Sequence, residues 1–137
     1  MNESNPNNKL SMRMIRYYLP AMGWIILILF LCTLPGSAIP SMSMFDKLHV
    51  DKIVHFVLFG GTVLLLAYGY YKQKGALSGL ALFSLVVVVT LYGLAIEFIQ
   101  KYLVANRSFD MYDLLADGLG AVAGALVFLW VGKRFLK

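Results

Sequence analysis

Residues 76–100 read ALSGLALFSLVVVVTLYGLAIEFIQ, twenty-five positions with a single charge, Glu97, near the end. A helix rises about 1.5 Å per residue, so this stretch covers the roughly 30 Å hydrocarbon core of a bilayer. The Val86–Val89 run is β-branched. The stretch is nevertheless too long for an ordinary strand, and a lone strand in lipid leaves its backbone groups unpaired. It is read as a membrane helix over about Ala76 to Gln100. Three other apolar runs have the same character: about Tyr18–Leu34, Lys52–Tyr71 and Met111–Val131. The predicted fold class is all-α, a polytopic membrane bundle of four transmembrane helices. Residues 1–17 are a polar N-terminal segment and 18–137 the membrane domain.

Composition agrees. The chain of 137 residues is 60% hydrophobic, against roughly 45–50% in soluble domains, and its mean hydropathy is +0.74. The net charge of +5 does not point to nucleic acid, because its distribution follows the apolar runs. Lys9, Arg13 and Arg16 precede the first run, Lys72 and Lys74 separate the second from the third, and Lys133, Arg134 and Lys137 follow the last. With four spans these eight basic residues share one side with one acid, Glu3, whereas the other side carries four basic and six acidic residues. That asymmetry predicts an inner (plasma) membrane protein, multi-pass, with both termini cytoplasmic. A lone cysteine, Cys32, forms no intrachain disulfide.

Local signals set the expected boundaries. Residues 1–8 are polar and expected to be disordered. Pro20 is tolerated in the first turn of helix one, Pro35-Gly36 ends it, and Pro40 keeps the next loop extended. Lys72-Gln73-Lys74-Gly75 forms a tight connection. Arg13, Arg16 and Gly36-Ser37-Ala38 also resemble a signal peptide with its cleavage site. The apolar run is long for such a segment and Ile39-Pro40 follows the cut, so an uncleaved helix is expected. Tyr68, Tyr70, Tyr71, Tyr92 and Tyr102 read as interfacial aromatics. Gly120 and Gly124, with Ala121 and Ala125 beside them, offer a flat surface for packing inside the bundle.

Six of the seven acids and both histidines lie in two short stretches beside these runs. Asp51 and His55 are four apart and share a face where helix two begins. Glu97 and Gln100 sit at the outer end of helix three. Asp110, Asp113 and Asp117 form a stripe at the start of helix four. Charge at a helix end is ordinary, and Asp51 and Asp110 are natural N-caps or first-turn acids. Asp46, Lys47, His49 and Lys101 follow no stripe and read as solvated. Asp113 and Asp117 continue into the apolar run, where charge is costly, so a buried and partnered role is expected. Arg107 is the natural counter-charge for Glu97, Asp110 and Asp113, with a planar fork that suits a carboxylate or phosphate. His55 is expected either to hydrogen-bond Asp51 or Glu97 structurally or to act chemically.

His and carboxylates are suitable donors for a divalent cation. No established ligand spacing is present, so neither a metal nor a cofactor is expected. Ser108 lies in the same region, but nothing marks it as a nucleophile. Four spans without a visible repeat leave little scope for alternating access.

These residues carry a family resemblance. Asp51-Lys52-Ile53-Val54-His55-Phe56 resembles the D-K-x-x-H-F motif of the VanZ-like family of small membrane proteins. Glu97-Phe98-Ile99-Gln100 is similar to its E-x-x-Q motif. Arg107, Asp110, Asp113, Asp117, Gly120 and Gly124 resemble its closing R-x-x-D-x-x-D-x-x-x-N-x-x-G-x-x-x-G pattern. The resemblance covers nearly the whole chain after residue 18. Asp117 stands where the family usually has Asn, which adds a charge or a proton. The family's namesake is linked to resistance to the glycopeptide teicoplanin. The resemblance implies a fold and candidate positions, not a reaction, and resistance is not carried over.

Three functions are weighed. The first is a cell-envelope protein with an outward-facing polar pocket for an amphiphile, such as a lipid-linked saccharide, a lipopeptide or a glycopeptide. The expected ligand-binding set is Asp51, Lys52, His55, Glu97, Gln100, Arg107, Asp110, Asp113 and Asp117. The second is an intramembrane enzyme acting on a lipid head group with His55 as acid or base. The third is a structural subunit of a membrane complex. The expected partners are therefore a membrane lipid or lipid-linked envelope molecule and a membrane protein, with no nucleic acid.

Overall fold

The computed structural model describes residues 6–38 and 43–135, with the side chains of all of these but 6–11, 13, 14, 44–48, 133 and 135. Four long helices account for nearly all of it: α1 (Pro6–Cys32), α2 (Met44–Lys74), α3 (Gly79–Leu103) and α4 (Met111–Phe135). Each contains a segment long and apolar enough to cross a membrane, over Ile15–Cys32, His49–Lys74, Gly79–Leu103 and Met111–Gly132. No strand occurs among the described residues. The four-helix membrane bundle expected from residues 76–100 and its companions is the fold.

The helix limits depart from hydropathy in one direction. α1 begins at Pro6 and α2 at Met44, well before the apolar runs. Residues 6–8 are therefore helical, Pro20 lies inside α1 rather than in its first turn, and Asp51 is not an N-terminal acid of α2. The reason is physical. Hydropathy marks where lipid can begin, whereas a helix continues into the polar region wherever no residue stops it. Pro6 suits the first helical position because its missing amide hydrogen has no partner there anyway. α2 runs through Lys74 and ends at Gly75, whose φ of +77° suits a residue without a side chain. α3 starts three residues later than expected because Ser78 caps it, its hydroxyl accepting from the Ala81 amide at 3.1 Å. α4 begins at Met111 as expected. The extended loop assigned to Pro40 lies outside the described residues.

α2 and α4 form the central pair, α1 packs chiefly on α2, and α3 packs chiefly on α4. The central contact is backbone on backbone. A Cβ added at Gly120 would run into the Phe56 carbonyl, one at Gly124 into the Gly60 carbonyl, and one at Gly60 would lie 2.9 Å from the Gly120 carbonyl oxygen. Gly120 and Gly124 thus pack within the chain, as expected, and Gly60 completes the seam. Trp24 donates to the Leu58 carbonyl at 2.9 Å, joining α1 to α2. Tyr92 donates to the Ile25 carbonyl at 2.9 Å, joining α3 to α1. Tyr92 is therefore an internal tie rather than an interfacial aromatic.

The outer surface is apolar. Phe83, Leu119, Leu126 and Trp130 are all well exposed, whereas His55, Thr62, Glu97, Gln100, Asp113 and Asp117 are buried. This inverts the pattern of a soluble domain, and it follows from the solvent. Lipid accepts the apolar side chains, and polar side chains lower their free energy by meeting one another inside.

Candidate functional site

The buried polar residues other than Thr62, whose hydroxyl donates to the Leu58 carbonyl within α2, gather at one end of the bundle, where the glycine seam draws α2 and α4 together. One turn and more before Gly60, His55 turns from α2 toward α4, and its Nδ1 lies 2.9 Å from Asp117 Oδ1. Its partner is thus Asp117 and not Asp51 or Glu97. The His55 ring stacks on Phe59 at 6.0 Å between centroids, and Phe59 packs on Tyr92. Both members of the His55–Asp117 pair are essentially inaccessible to water.

Lys52 takes the bridging role expected of Arg107. Its Nζ donates to Asp110 Oδ2 at 2.9 Å and to Asp113 Oδ1 at 3.0 Å. Asp110 also caps α4, accepting the Tyr112 amide on Oδ1 at 2.8 Å. Partial burial pushes the Asp110 carboxyl up, but the Lys52 ammonium and the capping amide outweigh it and hold it below the ordinary carboxylate value. Arg107 instead lies 3.8 Å from Asp51 Oδ2, a looser ion pair. The difference comes from reach: Lys52 stands on α2 facing the start of α4, whereas Arg107 belongs to the connection before α4.

Glu97 ties that connection down. Its Oε2 accepts the Asp110 amide at 2.7 Å, so α3 positions the first residue of the α4 cap. Gln100 donates to the Cys32 carbonyl at 3.0 Å and so caps the end of α1. Its amide nitrogen is committed to the fold. His49 and Lys101 are exposed, as expected of solvated helix ends. The side chains of Asp46 and Lys47 lie outside the described residues.

Two carboxylate oxygens stand apart. Glu97 Oε1 and Asp117 Oδ2 are fully buried, and neither has a hydrogen-bond partner among the described residues. Asp117 packs on Gly93 of α3, where any Cβ would overlap its carboxylate. Gly93 was not among the candidate residues, and neither was Phe59. The one available signal was a glycine a turn before Glu97 in an otherwise bulky helix.

Asn at position 117 keeps an acceptor for His55 and replaces the unpartnered oxygen with a donor. Asp117→Asn should therefore leave thermal stability in detergent within about 1 kcal/mol of the parent or raise it. Asp117→Leu should lose about 1–3 kcal/mol, because it leaves the His55 ring nitrogen buried without a partner. Equal losses for the two variants would show that the charge itself is structural.

Fold and site together define a polytopic membrane protein with a buried, acid-rich polar cluster built by α2, α3 and α4. The family model described as VanZ/LLP1 matches residues 3–132, and the chain belongs to that family. Comparison with curated proteins and with solved structures gives no match.

Proposed function

We propose that this chain is a cell-envelope protein of the inner (plasma) membrane, with both termini cytoplasmic, whose polar cluster receives the head group of an amphiphile from the outer side. The sidedness is supported by the charge asymmetry, with the basic helix ends opposite the cluster. The reading is carried by the two buried carboxylate oxygens without partners, Glu97 Oε1 and Asp117 Oδ2. A network that serves packing alone pairs its buried members. Surplus acceptors suit a ligand rich in hydrogen-bond donors, such as the hydroxyls and amides of a lipid-linked saccharide or the amides and ammonium groups of a lipopeptide. Lys52 and Arg107 lie at the same level and suit an anionic group on that ligand. The bundle's apolar exterior suits the lipid portion.

The His55–Asp117 pair supports a second reading, an intramembrane enzyme acting on a lipid head group. A carboxylate that fixes one ring nitrogen orients the other as an acid or base.

Native mass spectrometry of the full chain in detergent, with a polyprenyl-diphosphate-linked disaccharide as probe, separates these readings. A one-to-one adduct is expected, at least tenfold weaker in folded Glu97→Gln and Asp113→Asn variants. Release of the head group during incubation favours the enzyme. Adduct formation equal in the parent and both variants rejects the site.

A further inference from the structure

The expectation of no metal rested on spacing along the chain. The structure brings metal donors together across two helices instead. Asp51 and His55 of α2 and Asp113 of α4 each offer a ligand atom, and these atoms all lie within 4.8 Å of one another. We propose that Asp51, His55 and Asp113 form a binding site for a divalent cation.

Each of the three has a further charged neighbour. Asp117 holds His55 through Nδ1 at 2.9 Å. Lys52 holds Asp113 through Oδ1 at 3.0 Å. Arg107 faces Asp51 Oδ2 at 3.8 Å. One donor atom of each therefore remains: the imidazole Nε2 and the second oxygen of each carboxylate. A histidine that donates one ring N–H to a carboxylate and presents the other nitrogen is the usual arrangement of a metal-binding imidazole, since the carboxylate fixes the tautomer and raises the basicity of the ligating nitrogen.

A second observation is independent of that spacing. Asp117 and Glu97, both wholly buried, each use one oxygen on this cluster. Asp117 holds the candidate ligand His55, and Glu97 holds the Asp110 amide. Their other oxygens are buried and unpartnered. Five carboxylates thus meet two fixed cations, Lys52 and Arg107; Glu97, Asp113 and Asp117 are buried, whereas Asp51 and Asp110 are partly exposed. A divalent cation reduces that excess of negative charge at its centre, whereas the other arginines with described side chains, Arg16 and Arg134, stand in the N-terminal part of α1 and the last turn of α4. One imidazole with two carboxylates suits Mn²⁺ or Zn²⁺ better than a soft monovalent ion, and no thiolate takes part.

The test uses metal alone, so its outcome is separable from that of the amphiphile experiment. Tag-free full chain in detergent is stripped with chelator, dialysed and titrated with Mn²⁺ and Zn²⁺. One ion per chain is expected, with affinity at least tenfold weaker in Asp51→Asn, His55→Gln and Asp113→Asn and within threefold of the parent in His49→Gln, which removes an exposed imidazole outside the site. Should a variant fail to fold, the parent alone decides. Pulsed electron paramagnetic resonance of bound Mn²⁺ should show coupling to one imidazole nitrogen. No binding up to millimolar ion, unchanged affinity in folded His55→Gln, or bound Mn²⁺ without nitrogen coupling overturns the site and leaves adventitious surface binding only.

Discussion

Gly120→Leu is expected to abolish the folded bundle. The Cα of Gly120 sits against the Phe56 carbonyl, and Gly124 sits against the Gly60 carbonyl four residues further along each helix. Both neighbours are backbone, so no rotamer change makes room. Inserting bulk into a packed interior typically costs about 1–3 kcal/mol when side chains can adjust. A leucine facing helix backbone should reach or exceed the upper end of that range. Lipid offers no hydrophobic drive to hold the helices together once close packing fails. The effect also extends to the site. Separating α2 from α4 withdraws His55 from Asp117 and Lys52 from Asp113. Thermal unfolding and size-exclusion profiles in detergent should therefore show loss of the monodisperse folded species, with Gly124→Leu similar. A melting profile that Gly120→Leu leaves unchanged would sink the account of the seam.

Lys52→Met should be the most damaging substitution of a charged residue. It keeps much of the apolar stem and removes the ammonium that joins Asp110 and Asp113. Asp113 is nearly inaccessible, so its carboxylate then lacks its cation in a poorly hydrated place. Breaking a buried pair by removing one partner costs about 3–5 kcal/mol, whereas an exposed pair contributes about 0–1 kcal/mol. Lys52 and Asp110 retain some exposure, so a loss toward the lower end of the buried range is expected. Arg107→Gln provides the contrast. Its 3.8 Å approach to Asp51 is loose, and its removal should cost about 1 kcal/mol or less. Unfolding in detergent decides the ranking, and a larger loss for Arg107→Gln than for Lys52→Met would reverse the assigned roles. The double variant Lys52→Met with Asp113→Asn should recover part of the Lys52→Met loss, because the stranded charge is gone.

The chain by itself determined the bundle. Residues 76–100 exclude a soluble domain, and the other three apolar runs complete four spans, because bilayer thickness and backbone pairing leave few alternatives. The burial and pairing of Asp113 and Asp117 were legible for a related reason. Ionised and polar groups are so costly in lipid that their persistence at helical spacing marks a cluster. Helix limits were less legible, since α1 and α2 extend into polar sequence where hydropathy carries no signal. Tertiary structure alone decided the partners. Sequence offered Arg107 as the bridge and Asp51 or Glu97 as the partner of His55. Lys52 and Asp117 hold those places because Gly60, Gly120 and Gly124 bring α2 and α4 to backbone contact. Spacing along one helix shows which residues share a face. Which face meets which neighbour, and at what depth, depends on close packing between segments distant in the chain.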